Sequence, residues 1–313
     1  MKIRLGYVSI PVSIGKLTPS STMTYTYYKT LEESAAIKRL DEIIRSNFSD
    51  LKKILYYNKQ NEIQFYRLTS NLIPLATHPN ISCDFYHIYQ KELKEIGTLM
   101  KDYHMRVDTH PNQYCVLNST NSDVVCSSIN ILKDQYDMYQ TMGINGKIIL
   151  HIGGGTYGKK AGINRFIKNF QLLPESLQNS ILLENDDKLY TVSDVLMVCE
   201  KLKIPMVLDY HHHLCNPCEE ELTELLDRIY DTWKNETLSI KMHFSSPKNK
   251  QEFRSHNTYI DLDSFLSFLK ILKKKNQDVD VMLEAKGKDE ALFRLIRGLK
   301  YKNIIVNGTT ILM

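Results

Sequence analysis

Short apolar runs alternate with longer amphipathic stretches along nearly the whole chain, and most of the short runs end on an ionisable side chain. Residues 3–8, 65–68, 106–110, 147–151, 181–184, 206–209, 239–243 and 279–284 are too short for helices and read as eight strands. The sixth runs from Met206 into Asp209, Tyr210 and three successive histidines. Between the strands the apolar period changes to that of a helix. Leu31, Ile37, Leu40, Ile44, Leu51 and Leu55 predict a helix over about 30–57, and Tyr86, Tyr89, Leu93, Ile96 and Met100 predict another after a cap at Asp84. Gly143 marks a further helix end, Thr191 with Asp194 forms a capping-box-like start, and Asn216-Pro217 is expected to begin a helix with proline in its first turn.

Strand ends recur roughly every 25–43 residues, the length of a βα unit. Eight such units predict a (β/α)8 TIM barrel filling residues 1–313 as one domain, since no linker, low-complexity tract or repeat divides the chain. In barrels of this kind function gathers at the C-terminal ends of the strands.

Composition narrows the setting without deciding the chemistry. The chain has 313 residues, 42% of them hydrophobic, which suits an ordinary globular core. Its apolar runs fall short of the ~18 residues of a membrane span, and the N-terminus leads straight into a strand, so a cytoplasmic protein without a membrane partner is expected. Six scattered cysteines predict free thiols, with Cys215-Asn-Pro-Cys218 lacking the second ligand pair of a zinc site. A net charge of +4 and a pI near 8.5 are compatible with a nucleic-acid partner but do not require one.

The strand ends and adjoining loops supply His78, His110, His151, Glu184, Asp209, His212, His243 and Glu284. This is more than one ion can use, so two or three divalent ions are expected. Nitrogen and oxygen donors without thiolates suit Mn²⁺ or Zn²⁺, and the two oxygens of Glu184 or Asp209 allow either carboxylate to bridge. A multimetal site suits phosphoester hydrolysis. His87 and His104, which close no strand, are read as surface or packing residues. Gly153 to Lys159 has the spacing of a phosphate-binding loop, but Lys160 stands where that loop needs Ser or Thr. The glycines instead suggest close backbone approach, with Lys159 and Lys160 as candidate phosphate contacts.

The chain resembles the UV damage endonuclease family. The resemblance is carried by Arg4-Leu5-Gly6-Tyr7, Tyr66-Arg67-Leu68, Thr77-His78-Pro79, His110-Pro111-Asn112-Gln113-Tyr114, His151-Ile152-Gly153-Gly154, Leu183-Glu184-Asn185-Asp186, Asp209-x-x-His212, Lys241-x-His243 and Glu284-Ala285-Lys286. It implies a TIM barrel with a manganese cluster on the eight ligands above, acting on lesion-bearing double-stranded DNA and incising 5′ to the lesion. It also implies roles for Lys241, which the family carries in carboxylated form, for His256 in the active site, and for Gln113 and Tyr114 as a probe inserted into the duplex. Such a ring can fill the stack left by extruded bases. Ile10-Pro11 stands where members often have Asn, which leaves Tyr7 as the candidate catalytic or lesion contact from the first loop.

The expected activity is metal-dependent nicking of DNA 5′ to UV photoproducts, extending to other distorting lesions, by a monomer, with Glu184, Lys241 and Tyr7 as catalytic candidates. Three rivals share parts of the pattern: an abasic-site endonuclease of the endonuclease-four type, a metal-dependent sugar isomerase on the same barrel, and a noncatalytic damage sensor. A sugar pocket has no use for the Gln113-Tyr114 wedge, and a sensor has no use for the full ligand set.

Overall fold

The computed structural model describes residues 1–313, and eight parallel strands form a closed barrel. They are β1 (Lys2–Val8), β2 (Phe65–Arg67), β3 (Arg106–Thr109), β4 (Lys147–Leu150), β5 (Ile181–Glu184), β6 (Met206–Asp209), β7 (Ile240–Phe244) and β8 (Val279–Leu283). Each pairs with its successor except at closure, where β1 joins both β8 and β2. The (β/α)8 architecture expected from the alternating pattern is therefore the observed one.

A C-terminal hairpin, β9 (Ile305–Asn307) and β10 (Thr310–Leu312), was not foreseen from the pattern. It pairs antiparallel with β1 from Lys2 to Arg4, below the point where β1 reaches β2 through Tyr7 and Val8. The hairpin thereby covers the part of β1 that β2 leaves open, which would otherwise expose unpaired backbone groups.

Helices pack outside the barrel on one apolar stripe each. The long helix Glu33–Gln60 buries Leu40, Ile44, Phe48, Leu51 and Leu55. The helix expected after Asp84 is two helices, Phe85–Ile88 and Gln90–Asp102, which meet at Tyr89. The capping box at Thr191 and Asp194 is present on Val192–Leu202. The helix expected to start at Asn216-Pro217 begins instead at Leu222, after an N-cap at Glu221. Asn216 is used to donate from Nδ2 to the Asp186 carbonyl, 3.2 Å away, so this stretch anchors a loop.

Strand alternation sends successive side chains to opposite faces, and in this barrel the inward face carries charge in layers. Arg106 and Arg4 pair with Asp280 near the N-terminal end. Above them Lys241 donates to Asp108, with both side chains almost fully buried. Arg67 reaches Asp108 from above at 3.4 Å, linking this layer to the carboxylates at the mouth. The outward face, with the helices packed on it, holds the main core, including Ile3, Leu5, Ile148, Leu183 and Leu208 from the strands and Leu269 from a helix.

Candidate metal centre and active site

Glu184, the last residue of β5, is the hub of the mouth. Its Oε2 lies 3.2 Å from His110 Nε2 and 3.8 Å from His151 Nε2. Its Oε1 lies 2.7 Å from His243 Nδ1 and 3.5 Å from His212 Nδ1. Two donor groups result, each able to hold a metal ion: His110, His151 and Glu184, and then Glu184, Asp209, His243 and Glu284, with donor atoms within 4.8 Å of one another in each. Glu184 belongs to both.

The histidine triplet is resolved by a change of secondary structure. β6 ends at Asp209, and Tyr210–Cys215 is a short helix whose N-cap is Asp209, with the carboxylate accepting the His212 N–H at 2.7 Å. Residues three apart on a helix share a face, so Asp209 and His212 converge while His211 and His213 point elsewhere. His211 is buried against Phe253 and His256. His212 packs between His151, at 5.7 Å between ring centres, and His256, at 6.2 Å.

Burial disfavours charge on Glu184, but the His243 and His151 imidazoles and hydrogen bonds from His110 and His243 outweigh it, holding the carboxyl well below its usual range. Burial pushes His243 down to about 4, against the pull of Glu184. Burial also lowers His151. Ionised carboxylate and neutral imidazole are the forms that bind metal. Asp209 and His212 behave as a coupled pair. Burial and nearby carboxylates raise Asp209 to about 7, and Asp209 with Glu184 and Glu284 overcomes burial to raise His212 to about 9.

The donors fit a divalent ion by a test internal to the site. Asp209 Oδ2 is buried without a hydrogen-bond partner, and its nearest basic atom, His212 Nδ1, is 3.7 Å away. A buried anionic oxygen in that state is costly unless a cation completes its surroundings. Arg67 supplies part of that charge: Nη1 binds Glu284, and Nη2 lies 2.6 Å from His243 Nε2.

Other expected site residues lie at varied distances from this hub. His256 lines the mouth with its Nδ1 3.9 Å from Glu284 Oε2. His78 is stacked on Tyr25, at 3.8 Å between ring centres, and belongs to neither donor group. Lys241 lies one inward layer below His243, fully buried, and burial pushes its amine down to about 7 against the pull of Asp108. Gln113 and Tyr114 stand exposed at the tip of the β3 loop, where Asn112 accepts the Tyr114 N–H at 2.9 Å; Tyr114 is 72% exposed. Lys159 is paired with Asp194 at 2.8 Å, whereas Lys160 is exposed.

Tyr7 corrects an expectation. It pairs with Tyr66, the outward neighbour of inward-facing Arg67, so it also faces outward. Its hydroxyl donates to Asn58 of the helix Glu33–Gln60 at 2.7 Å, and the residue is fully buried. Tyr7 fills the strand–helix layer outside the barrel and does not reach the donor groups.

The glycine-rich stretch after β4 does admit close backbone approach. Gly153 has φ of +111°, and a Cβ there would lie 2.4 Å from Asn118 Oδ1. Asn118 donates to the Gly154 carbonyl at 2.6 Å and accepts its N–H at 2.9 Å, clamping the β3 and β4 loops together. Sequence reasoning missed Arg67 and Asp108 as parts of the site. Their signal was a charged residue at an inward position of a short buried strand.

The fold and its mouth define a metal-binding (β/α)8 enzyme. The family model described as UV-endonuclease UvdE matches residues 3–312, and the chain belongs to that family. It is 40% identical over 308 residues to the UV DNA damage endonuclease of Bacillus cereus (strain B4264), covering 96% of this chain and 97% of the relative. The solved structure of SacUVDE superimposes with a TM-score of 0.86 at 35% identity, covering 96% of this chain and 99% of that one. An L-ribulose 3-epimerase shares the barrel alone, with a TM-score of 0.55 at 14% identity. The chain is thus a metal-dependent DNA-repair endonuclease of the UV-damage family.

Proposed function

We propose that this protein incises duplex DNA on the 5′ side of UV photoproducts, and of other distorting lesions, using two or three Mn²⁺ ions. The observation that carries this reading is the shared position of Glu184 in both donor groups, which suits a carboxylate bridging adjacent ions. Bound ions of this kind lower the pKa of water and neutralise charge on the phosphate under attack.

The protein's own groups account for the rest. His110 and His151 form one wall of the cluster, and Asp209, His243 and Glu284 form the other, with His212 as a further donor and His256 beside it at the mouth. His78, stacked on Tyr25, is assigned to the outer edge of the cluster. Arg67 fixes the orientation of Glu284 and His243. Lys241 acts from below as a positioning residue that holds Asp108, itself in contact with Arg67. Exposed Gln113 and Tyr114 enter the duplex, and the Asn118 clamp keeps their loop fixed relative to the β4 loop with Lys159 and Lys160. The protein acts as a monomer in the cytoplasm. No helix of the chain is long and apolar enough to cross a membrane.

An end-labelled duplex with one defined photoproduct tests the proposal. Incision immediately 5′ to the lesion with a 3′ hydroxyl is expected; incision only at an abasic site would favour the endonuclease-four reading.

A further inference from the structure

Two loops face each other across the mouth, and one ion pair joins them. Arg254 of the β7 loop directs Nε and Nη2 to the same oxygen of Asp187 in the β5 loop, at 2.7 and 2.6 Å. Both residues line a 610 Å³ cavity together with His110, His151, His212 and His256, and Arg254 is the one arginine of that lining.

Each loop is fixed without the pair. In the β7 loop, Lys248 N–H donates to Ser255 at 2.7 Å and Asn257 N–H donates to Ser246 at 2.8 Å, while Phe253 and His256 pack on buried His211. In the β5 loop, Asp186 accepts the backbone N–H groups of Lys188, Leu189 and Tyr190. The ion pair is therefore dispensable to either loop's shape. It is also exposed, with 47% of the Arg254 side chain and 27% of the Asp187 side chain accessible, and exposed pairs contribute little to stability.

We propose that Arg254 is a phosphate-binding residue of the DNA interface, held over the mouth by Asp187 until a backbone phosphate replaces that carboxylate. The inference rests on the DNA-incision reading above. A guanidinium fork matches two acceptor oxygens, yet here two of its nitrogens converge on one, so a phosphate can offer Arg254 a better-matched partner than Asp187 does. Asp187, left without its cation, then faces solvent at the rim.

The test is equilibrium binding of a fluorescent photoproduct duplex across KCl concentrations. It uses the full chain loaded with Mn²⁺ and a duplex whose linkage 5′ to the photoproduct is a non-hydrolysable phosphonate, so that incision is suppressed without altering the metal ligands. Removing one phosphate contact reduces the salt slope by about one, so Arg254→Ala should weaken binding, with the deficit shrinking about threefold between about 50 and 200 mM KCl. Arg254→Lys should restore the slope but not the full affinity, and Asp187→Asn should bind at least as tightly as its parent. A wild-type slope in Arg254→Ala overturns the inference. So does Asp187→Asn binding more weakly than its parent, because the pair would then be a strut; this arm also decides the matter if Arg254→Ala does not fold. Nicking of irradiated and untreated plasmid by the unmodified chain, run in parallel, tests the incision reading separately. Arg254-dependent binding without nicking would overturn that reading and leave this inference standing.

Discussion

Glu184 Oε1 stands 2.7 Å from Nδ1 of His243 while its Oε2 stands 3.2 Å from His110 Nε2, so the two oxygens join the two donor groups of the barrel mouth. One carboxylate therefore serves both. Glu184→Gln keeps the size of the side chain but removes its charge from both groups at once. Incision is expected to fall at least ~100-fold, the scale of losing a preorganised electrostatic group, while affinity for lesion DNA changes only a few-fold. Plasmid nicking beside a binding titration measures both, and incision within tenfold of wild type would remove Glu184 from the catalytic set.

Metal binding should be coupled to pH through Asp209 and His212. Their folded values, raised to about 7 and about 9, lie above the unfolded ~3.9 and ~6.5. In the ion-free chain their contribution to stability is fully present below the unfolded values and is lost as pH rises through the folded ones. An ion competes with these same protons, so its affinity, and the stabilisation it gives, must increase as pH rises. The increase in Tm on adding Mn²⁺ is expected to be larger at about pH 8.5 than at about pH 6. A pH-independent increase would contradict this coupling.

Tyr7→Phe should leave incision within twofold of wild type, because the hydroxyl it removes bonds Asn58 behind the barrel wall. Stability should fall by about 1 kcal/mol, the cost of one lost buried hydrogen bond with its partner left unsatisfied. Thermal melting and steady-state kinetics separate the two effects. A large loss in kcat without a loss in Tm would return Tyr7 to the reaction.

Tyr114→Ala should raise KM for a photoproduct duplex by about tenfold or more, since stacking of one aromatic on one base contributes about 1–3 kcal/mol. Tyr114→Phe keeps the ring and should behave as wild type. Equal losses in both variants would mean that the hydroxyl, and not the ring, makes the contact.

The barrel was legible in the sequence because each strand is an apolar run too short for a helix and because these runs recur at βα spacing. All six members of the two donor groups, Glu184 and His243 among them, could be read from their place at a strand end. What could not be read was which face a side chain takes. Tyr7 looked like a strand-end residue, but its register with Tyr66 turns it outward. Asp209 and His212 converge only because the chain turns helical at Tyr210, a change that the run of three histidines does not announce. Arg67 and Asp108 went unnoticed for a related reason: a charged residue in a short strand reveals its partner only when strands distant in sequence close the barrel. The hairpin at the C-terminus was missed because its strands are three residues each and owe their existence to the open half of β1.

Supercoiled plasmid provides the most direct test of the central claim, that this mouth is a metal-dependent incision site for UV-damaged DNA. Irradiated and untreated plasmid are incubated with the protein and Mn²⁺, with and without chelator. The account predicts relaxation of irradiated plasmid that chelator abolishes, with untreated plasmid left largely supercoiled. Equal nicking of both plasmids, or nicking that persists in chelator, would contradict it.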